Sequence, residues 1–296
     1  MDQNYIPDSE LVLNDDGSVY HLHLKPEHIA DTVILVGDQG RVNLISSLFD
    51  HVEHKIKNRE FITHTGIYKG TRITVLSTGI GTDNIDIVVN ELDAAVNIDL
   101  EKRIPFPKRK KLNLIRIGTS GSIQYDVPVG AHLVSEYALG LDGLLYYYNY
   151  EFTREEAALC DRINDHLNWN SDLSRPYIVK GSERLVSHLG EGMSKGVTIT
   201  ASGFYGPQGR ALYLKPKDET LNERMESFDD GQHKITNFEM ETSALYGLGK
   251  MLGHNCCTCC AIIANRVRKG YSEDYKVIVK DLIKVVLDRI VTLPPA

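Results

Sequence analysis

The sequence lacks any apolar run that approaches the span of a lipid bilayer, so we do not expect a membrane protein. Its start, Met1–Asn4, is polar and lacks the charged-then-apolar pattern of a secretory signal. A formal net charge of -7 argues against a general nucleic-acid or membrane-surface binder. What is present is an ordinary globular composition, 42% hydrophobic and 25% charged over 296 residues. We expect one α/β domain over residues 19–296, preceded by an N-terminal arm of residues 1–18.

Cysteine is scarce, and its odd count of five does not suit a disulfide framework. A reduced, cytoplasmic protein is the simplest interpretation. Four of the five are crowded at Cys256, Cys257, Cys259 and Cys260. Their CxxC spacing could suggest a metal site, but the run continues into Ala261–Ala264, which predicts a buried strand. Residues three apart on a strand point to opposite faces, so we interpret these cysteines as small core side chains.

The stretch Leu112–Ser122 combines an apolar strand pattern with Gly118–Ser122, which we predict to be a tight turn. Such a turn at the carboxyl end of a sheet strand can surround an anion with backbone N–H donors. Arg116 lies just before it, and a buried arginine needs a negative partner. That partner is either an oxyanion such as phosphate or an internal carboxylate, and this stretch alone leaves both open.

Other polar side chains also follow predicted strands. Asp31–Val36 reads as a strand that runs into Gly37 and Arg41, with a helix over Val42–Phe49 whose Leu48 faces inward. We also predict an extended segment at Val19–Leu24, strands at Thr198–Ser202 and Cys256–Ala264, a hairpin of Phe61–Tyr68 with Thr71–Leu76, and helices at Arg154–Leu167 and Tyr275–Val291.

Taken in order, seven short motifs resemble the nucleoside phosphorylase family and, within it, the uridine phosphorylases. They are VYHL at Val19–Leu22, GDxxR at Gly37–Arg41, REF at Arg59–Phe61, STGIG at Ser77–Gly81, RIGTSG at Arg116–Gly121, FYxxQGR at Phe204–Arg210 and FEME at Phe238–Glu241. The similarity spans about Tyr20 to Val291. It implies an α/β fold with a central mixed, twisted and partly barrel-like sheet flanked by helices.

The resemblance also implies a role for individual positions. The phosphate-binding positions are Gly37, Arg41, Arg59, Arg116 and Thr119. The ribose-binding positions are His21, Thr119, Met240 and Glu241. The base-binding positions are Gly121, Phe204, Gln208, Arg210 and Ile263. Arg116, Gln208 and Arg210 are the implied catalytic residues, and Arg59 and His21 are implied to serve a neighbouring subunit of a homo-oligomer.

The activity implied is that of a pentosyltransferase, the reversible phosphorolysis of uridine, with deoxyuridine as a further substrate, in pyrimidine salvage. Phosphate is then a co-substrate, and no metal or other cofactor is expected. In some bacterial members, the counterpart of Glu60 and a serine at the position of Asn84 bind a monovalent cation. Because this chain has asparagine there, the sequence does not decide whether it binds such a cation. The alternatives are a purine or broad-specificity phosphorylase, a nucleosidase of the same fold, and a non-catalytic nucleoside-binding protein. The purine branch usually has an acid where this chain has Asn265.

Overall fold

The computed structural model describes residues 4–294. Their chain folds into two compact units. The first comprises residues 4–79, 83–115 and 248–255, and the second comprises residues 80–82, 116–247 and 256–294. Residues 1–3 of the predicted arm lie outside the described residues. Within residues 4–18, Ile6 donates its backbone N–H to the Arg103 carbonyl at 2.9 Å.

The first unit is built on a four-stranded mixed sheet. Its elements are β1 (Thr32–Val36), α1 (Gln39–Ser46), β2 (His51–Asn58), β3 (Phe61–Tyr68), β4 (Thr71–Ser77), α2 (Thr82–Asn97), and the short β5 (Ile98–Asp99) and β6 (Ile104–Pro105). The sheet order is β1-β4-β3-β2, with β1 parallel to β4 and the other two pairs antiparallel. The predicted strand at Asp31–Val36 and the predicted hairpin are confirmed.

Strand β7 (Asn113–Ser122) begins in the first unit and ends in the second. The other elements are β8 (His132–Gly140), α3 (Arg154–Leu167), β9 (Tyr177–Lys180), α4 (Glu183–Leu189), β10 (Ser194–Thr200), α5 (Leu221–Ser227), β11 (Ile235–Glu239), α6 (Thr242–Met251), β12 (Asn255–Asn265), β13 (Gly270–Tyr271) and α7 (Tyr275–Val291). Short 3-10 turns lie at Pro26–His28, Leu144–Tyr147 and Gly206–Gln208. The predicted helices at Arg154–Leu167 and Tyr275–Val291 are confirmed.

The sheet of the second unit runs β13-β12-β8-β10-β11-β7, and β12 also pairs with β7. Five of its strands therefore close on themselves, which confirms the predicted partly barrel-like sheet. β8, β10 and β11 are parallel, whereas β7 and β12 run antiparallel to their neighbours β11 and β8. Apolar side chains from α3, α5 and these strands, among them Leu159, Ile199 and Phe238, form a buried cluster.

The four clustered cysteines are core residues of β12, as predicted, and Cys160 lies on α3. All five are buried free thiols. Within residues 4–294, no group of three or more His, Cys, Asp or Glu side chains is placed to hold a metal ion. Among the described helices, none has the length and apolar content needed to cross a bilayer.

Three local predictions are wrong. Gly118–Ser122 is not a turn, because β11 pairs with Gly121 and Ser122 and extends β7 to its end. Val19–Leu24 is a turn rather than an extended segment, closed by a Val19 N–H bond of 3.0 Å to the Leu24 carbonyl. Leu48 is 44% exposed, since α1 starts at Gln39 and ends at Ser46, before Leu48.

Candidate active site

Arg116 lies in the middle of β7 and is buried between two carboxylates. Its Nε donates to Glu239 Oε2 at 3.3 Å, and its Nη2 donates to Glu241 Oε2. Although burial disfavours the charged form, the carboxylates of Glu241 and Glu239 raise the pKa of Arg116 above its usual range. The sequence left open whether Arg116 pairs with an oxyanion or with an internal carboxylate, and the structure shows the internal carboxylates. Nη1 is buried and makes no hydrogen bond to any of residues 4–294, so this guanidinium keeps one donor nitrogen unpaired within the described residues.

The two glutamates come together because β11 ends at Glu239 and α6 starts three residues later, at Thr242. Glu239 accepts the backbone N–H groups of Glu241 at 2.9 Å and Thr242 at 3.0 Å, so it caps the N-terminus of α6. It also accepts the Thr200 hydroxyl at 2.7 Å. Glu239 is thus fixed by the backbone, and Glu241 projects from the turn toward Arg116.

Glu241 receives one backbone donor besides Arg116, the Gly81 N–H at 2.9 Å. Gly81 has φ 100°, a left-handed backbone conformation that favours glycine. Burial raises the pKa of Glu241 to about 7, while the Arg116 charge opposes that shift. In its ionised form this carboxylate is a strong acceptor for vicinal hydroxyl groups such as those of ribose.

The loop that follows β10 gathers three of the predicted base-binding residues. Gln208 is 3% exposed, and its side-chain oxygen accepts a hydrogen bond from Arg210. Arg210 also donates to the Phe204 carbonyl at 2.7 Å, and its guanidinium lies 3.8 Å from the centre of the Phe204 ring. Burial lowers the pKa of Arg210. These contacts leave the Gln208 amide nitrogen as a donor beside a cation, a pattern that suits a planar ring with carbonyl oxygens.

A cavity of about 720 Å³ opens beside Arg210 within the second unit. Its walls are largely apolar and include Leu141, Trp169, Tyr205 and Leu221. Ligand pockets are commonly lined in this way, with a few polar groups that set orientation. Because Trp169 is the single tryptophan of the chain, its fluorescence reports on this cavity.

The remaining predicted residues of the second unit lie on the same framework. Thr119 and Gly121 are on β7, Ile263 is on β12, and Met240 directly follows β11. Gly121 pairs with Phe238, and a Cβ at Gly121 would meet Ala264 of β12 at 3.9 Å. The second unit therefore brings the ends of β7, β11 and β12 together.

Four predicted residues, Gly37, Arg41, Arg59 and His21, belong to the first unit. Gly37 follows β1 and Arg41 is in the first turn of α1. Arg59 lies at the tip of the β2–β3 hairpin with φ 50°, where its guanidinium is 4.9 Å from the Tyr20 ring centre. The roles of these residues remain predictions.

Sequence reasoning missed Arg266. It donates to the Gln208 backbone carbonyl and lies 5.4 Å from the centre of the Phe238 ring, so it ties the Gln208 loop to β11. Burial, and then repulsion from Arg210, lower its pKa to about 10. The sequence did contain a signal, since Arg266 follows its predicted buried strand more closely than Arg41 follows the strand before it. The partners of Glu239 were not readable from the sequence.

Asn265 serves the structure of the second unit. Its amide nitrogen donates to the carbonyls of Gln124 and Val127, both at 2.9 Å, and its oxygen accepts the Arg268 N–H at 2.8 Å. An aspartate in the same conformation would set a carboxylate oxygen against two carbonyl oxygens. The contacts of Asn265 therefore favour an amide over an acid here.

Comparisons with known proteins agree on one family. The family model described as Phosphorylase superfamily matches residues 31–290. A uridine phosphorylase of Thermococcus kodakarensis is 32% identical over 265 residues, covering 88% of this chain and 82% of that protein. A DeoD-type purine nucleoside phosphorylase of Shewanella loihica is 27% identical, covering 92% of this chain and 98% of that protein.

A solved structure agrees with these relatives. A Trypanosoma brucei nucleoside phosphorylase, described as showing uridine phosphorylase activity, aligns with a TM-score of 0.85 and 30% identity, covering 95% of this chain and 99% of that chain. The predicted α/β fold and the predicted enzyme class, a pentosyltransferase, are confirmed. The chain therefore belongs to the phosphorylase superfamily, among its nucleoside phosphorylases.

Proposed function

We propose that this enzyme catalyses the reversible phosphorolysis of uridine to uracil and ribose 1-phosphate, with deoxyuridine as a further substrate. The observation that carries the proposal is the Phe204–Gln208–Arg210 arrangement, in which Arg210 bonds to the Gln208 side chain and the Phe204 carbonyl and also lines a cavity wide enough for a base. The names of the Thermococcus kodakarensis and Trypanosoma brucei proteins support the same activity.

The chemistry fits the residue types. Phosphorolysis breaks a C–N glycosidic bond through a transition state with oxocarbenium character, and phosphate is both nucleophile and counter-charge. We propose that Arg116, with Gly37, Arg41, Arg59 and Thr119, holds phosphate in position, so that orientation and electrostatics supply most of the rate. The uracil ring gains negative charge as it leaves. Arg210 and Gln208 then stabilise that charge more than the neutral ground state, as catalysis requires.

The sugar would be held by Glu241, Met240, Thr119 and His21, with Glu241 accepting from its hydroxyl groups. The base would also contact Gly121 and Ile263. A purine leaving group benefits from protonation at its ring nitrogen, and the contacts of Asn265 with the Gln124 and Val127 carbonyls favour an amide at the position where the purine branch has an acid. We therefore propose uridine ahead of purine nucleosides.

The test is base release from uridine and from inosine, each with and without phosphate. Uracil released only in the presence of phosphate would support the proposal. Hypoxanthine release from inosine would favour the purine activity that the Shewanella loihica relative's name suggests. Release without phosphate would identify a nucleosidase, and no release from either nucleoside would favour a binding protein.

A matched pair of variants tests the base-binding assignment. Arg210 and Arg268 each lie over an aromatic ring, with 3.8 Å to the centre of Phe204 and 4.0 Å to the centre of Tyr125. We expect Arg210→Met to lower kcat/KM for uridine by roughly 10²–10³, the usual effect of removing one charge-stabilising donor. Arg268→Met should leave kcat/KM near the wild-type value. Equal losses in both variants would contradict the base-binding assignment of Arg210.

We also propose a cytoplasmic homo-oligomer in which Arg59 and His21 reach a neighbouring subunit's site. Light scattering after gel filtration measures the assembly. A mixture of inactive Arg59→Ala and inactive Arg116→Ala subunits should regain activity only if sites are shared. Failure of the mixture to regain activity, with exchange of subunits verified, would contradict the sharing of sites.

A further inference from the structure

The carboxylate of Glu91, on α2, holds one turn of the first unit at four points. It accepts the His21 ring through Nδ1 at 2.5 Å, the His21 backbone N–H at 2.9 Å and 3.0 Å, and the Leu22 backbone N–H at 2.8 Å. The Glu91 side chain is 16% exposed and the His21 side chain is 31% exposed. The His21 ring is therefore partly exposed, while the carboxylate that it contacts is more buried.

We propose that Glu91 is a positioning residue that sets the proton and the direction of the His21 ring, so that Nε2 binds the 5′-hydroxyl of the nucleoside. This inference rests on the proposed function, in which His21 is a ribose contact. A carboxylate within hydrogen-bond distance accepts only, so Nδ1 carries the proton. In the neutral ring Nε2 is then left as an acceptor on the side away from Glu91.

The backbone of the turn is held independently of the ring. Asn58 on β2 donates its amide to the His21 carbonyl at 2.9 Å and to the Tyr20 carbonyl at 3.3 Å. The Val19 N–H to Leu24 carbonyl bond closes the same turn. Loss of the Glu91 side chain removes the acceptor of the His21 and Leu22 backbone N–H groups as well as the acceptor of the ring. The Asn58 bonds and the Val19–Leu24 bond still hold the backbone, whereas the ring loses its hydrogen-bond partner, so we expect the main effect on the orientation of the His21 ring.

The experiment compares kcat/KM for uridine with kcat/KM for 5′-deoxyuridine, which lacks the hydroxyl in question. In the wild type we expect uridine to be favoured about three- to tenfold, the usual value of one hydrogen bond. His21→Ala should lower the ratio of the two kcat/KM values to about one, and Glu91→Ala should lower it nearly as far. The ratio in the double variant should match that in His21→Ala, because Glu91 affects the ratio only through the His21 ring.

Asn58→Ala is the matched control, since it removes a bond to the same turn without touching the ring. Its ratio should stay at the wild-type value even if its stability falls. A Glu91→Ala enzyme that loses activity equally toward both nucleosides would overturn the inference, because the residue would then only support the fold. A ratio in His21→Ala equal to that of the wild type would overturn the inference as well, because it would show that His21 does not contact the 5′-hydroxyl.

A second measurement does not depend on activity. Nitrogen-15 NMR of the imidazole groups distinguishes the two tautomers, and His21→Ala identifies the His21 signals among the 11 histidines. We expect the Nδ1–H form in the wild type and its loss in Glu91→Gln, whose amide nitrogen can donate to Nδ1. An Nε2–H form in the wild type would overturn the inference. If the wild type showed the expected tautomer but did not cleave uridine, the proposed function would fail instead.

Discussion

Replacing Arg116 with methionine tests the electrostatics of the buried site. The substitution keeps an unbranched side chain of similar length and removes the cation that lies between Glu239 and Glu241. Removing one partner of a buried ion pair typically costs about 3–5 kcal/mol, because the other charge stays buried without compensation. For a chain of this size, that loss lowers Tm by on the order of 10 °C.

The structure indicates which carboxylate bears this cost. Glu239 keeps the Glu241 and Thr242 N–H groups and the Thr200 hydroxyl after Arg116 is lost, whereas Glu241 keeps the Gly81 N–H. We therefore expect Glu241→Gln, added to Arg116→Met, to recover roughly half of the lost stability.

The loss should also depend on pH. Since the pKa of Glu241 is raised above its unfolded value, the folded state binds this proton more tightly than the unfolded state does. The contribution of Glu241 to stability therefore falls as pH rises from the unfolded pKa through the folded pKa of about 7. The Arg116 charge limits the rise in the pKa of Glu241, so without Arg116 the loss of stability with rising pH is larger. Arg116→Met should therefore lose more stability relative to the wild type at pH 8 than at pH 5.

Urea unfolding, followed by Trp169 fluorescence and far-UV circular dichroism, measures these differences. Arg72→Met is the control for a partly exposed cation, because Arg72 pairs with Glu53 at 2.7 Å, and exposed pairs contribute under about 1 kcal/mol. Arg72 also donates to the Glu27 and Ile29 carbonyls at 2.7 Å and 3.2 Å, so its loss includes these two bonds. If Arg116→Met unfolds at the same urea concentration as Arg72→Met, or if Glu241→Gln adds to the loss, our reasoning about the site is refuted.

Three further predictions concern stability and reactivity. Gly66→Ala should destabilise the protein by about 1–3 kcal/mol in urea unfolding, because its Cβ would clash with the His51 carbonyl oxygen; a midpoint equal to the wild type would contradict this. Asp93→Asn should cost about 2 kcal/mol at pH 7, because Asp93 accepts Arg109 at 2.6 Å. Burial raises the pKa of Asp93, but the hydrogen bonds that it accepts, that from His254 first, lower it overall. The stability difference between Asp93→Asn and the wild type should therefore disappear as the pH falls from about 4, the unfolded value, through the lower folded pKa. The five buried thiols should react with a chromogenic disulfide only after unfolding, and rapid reaction of the native protein would exclude their placement in the core.

The sequence predicted which residues form the candidate site, but it did not predict the contacts between them. The sequence identified Arg116, Gln208, Arg210 and Glu241 through motifs, and the structure places all four in the second unit. It could not show that Arg116 meets two carboxylates, because those partners lie 123 and 125 residues away. Likewise, the contact of His21 with Glu91 joins residues 70 positions apart.

Local pattern determined most of the regular elements. The apolar period along Arg154–Leu167 and Tyr275–Val291 and the alternation around Lys69–Gly70 were sufficient, because helix and hairpin bonds join residues close in sequence. Gly118–Ser122 has the composition of a turn, and pairing with strands distant in sequence, β11 among them, makes it part of β7. Sequence order fixed which side chains are available for the chemistry, whereas the tertiary structure decided their partners, because a hydrogen bond depends on distance in space.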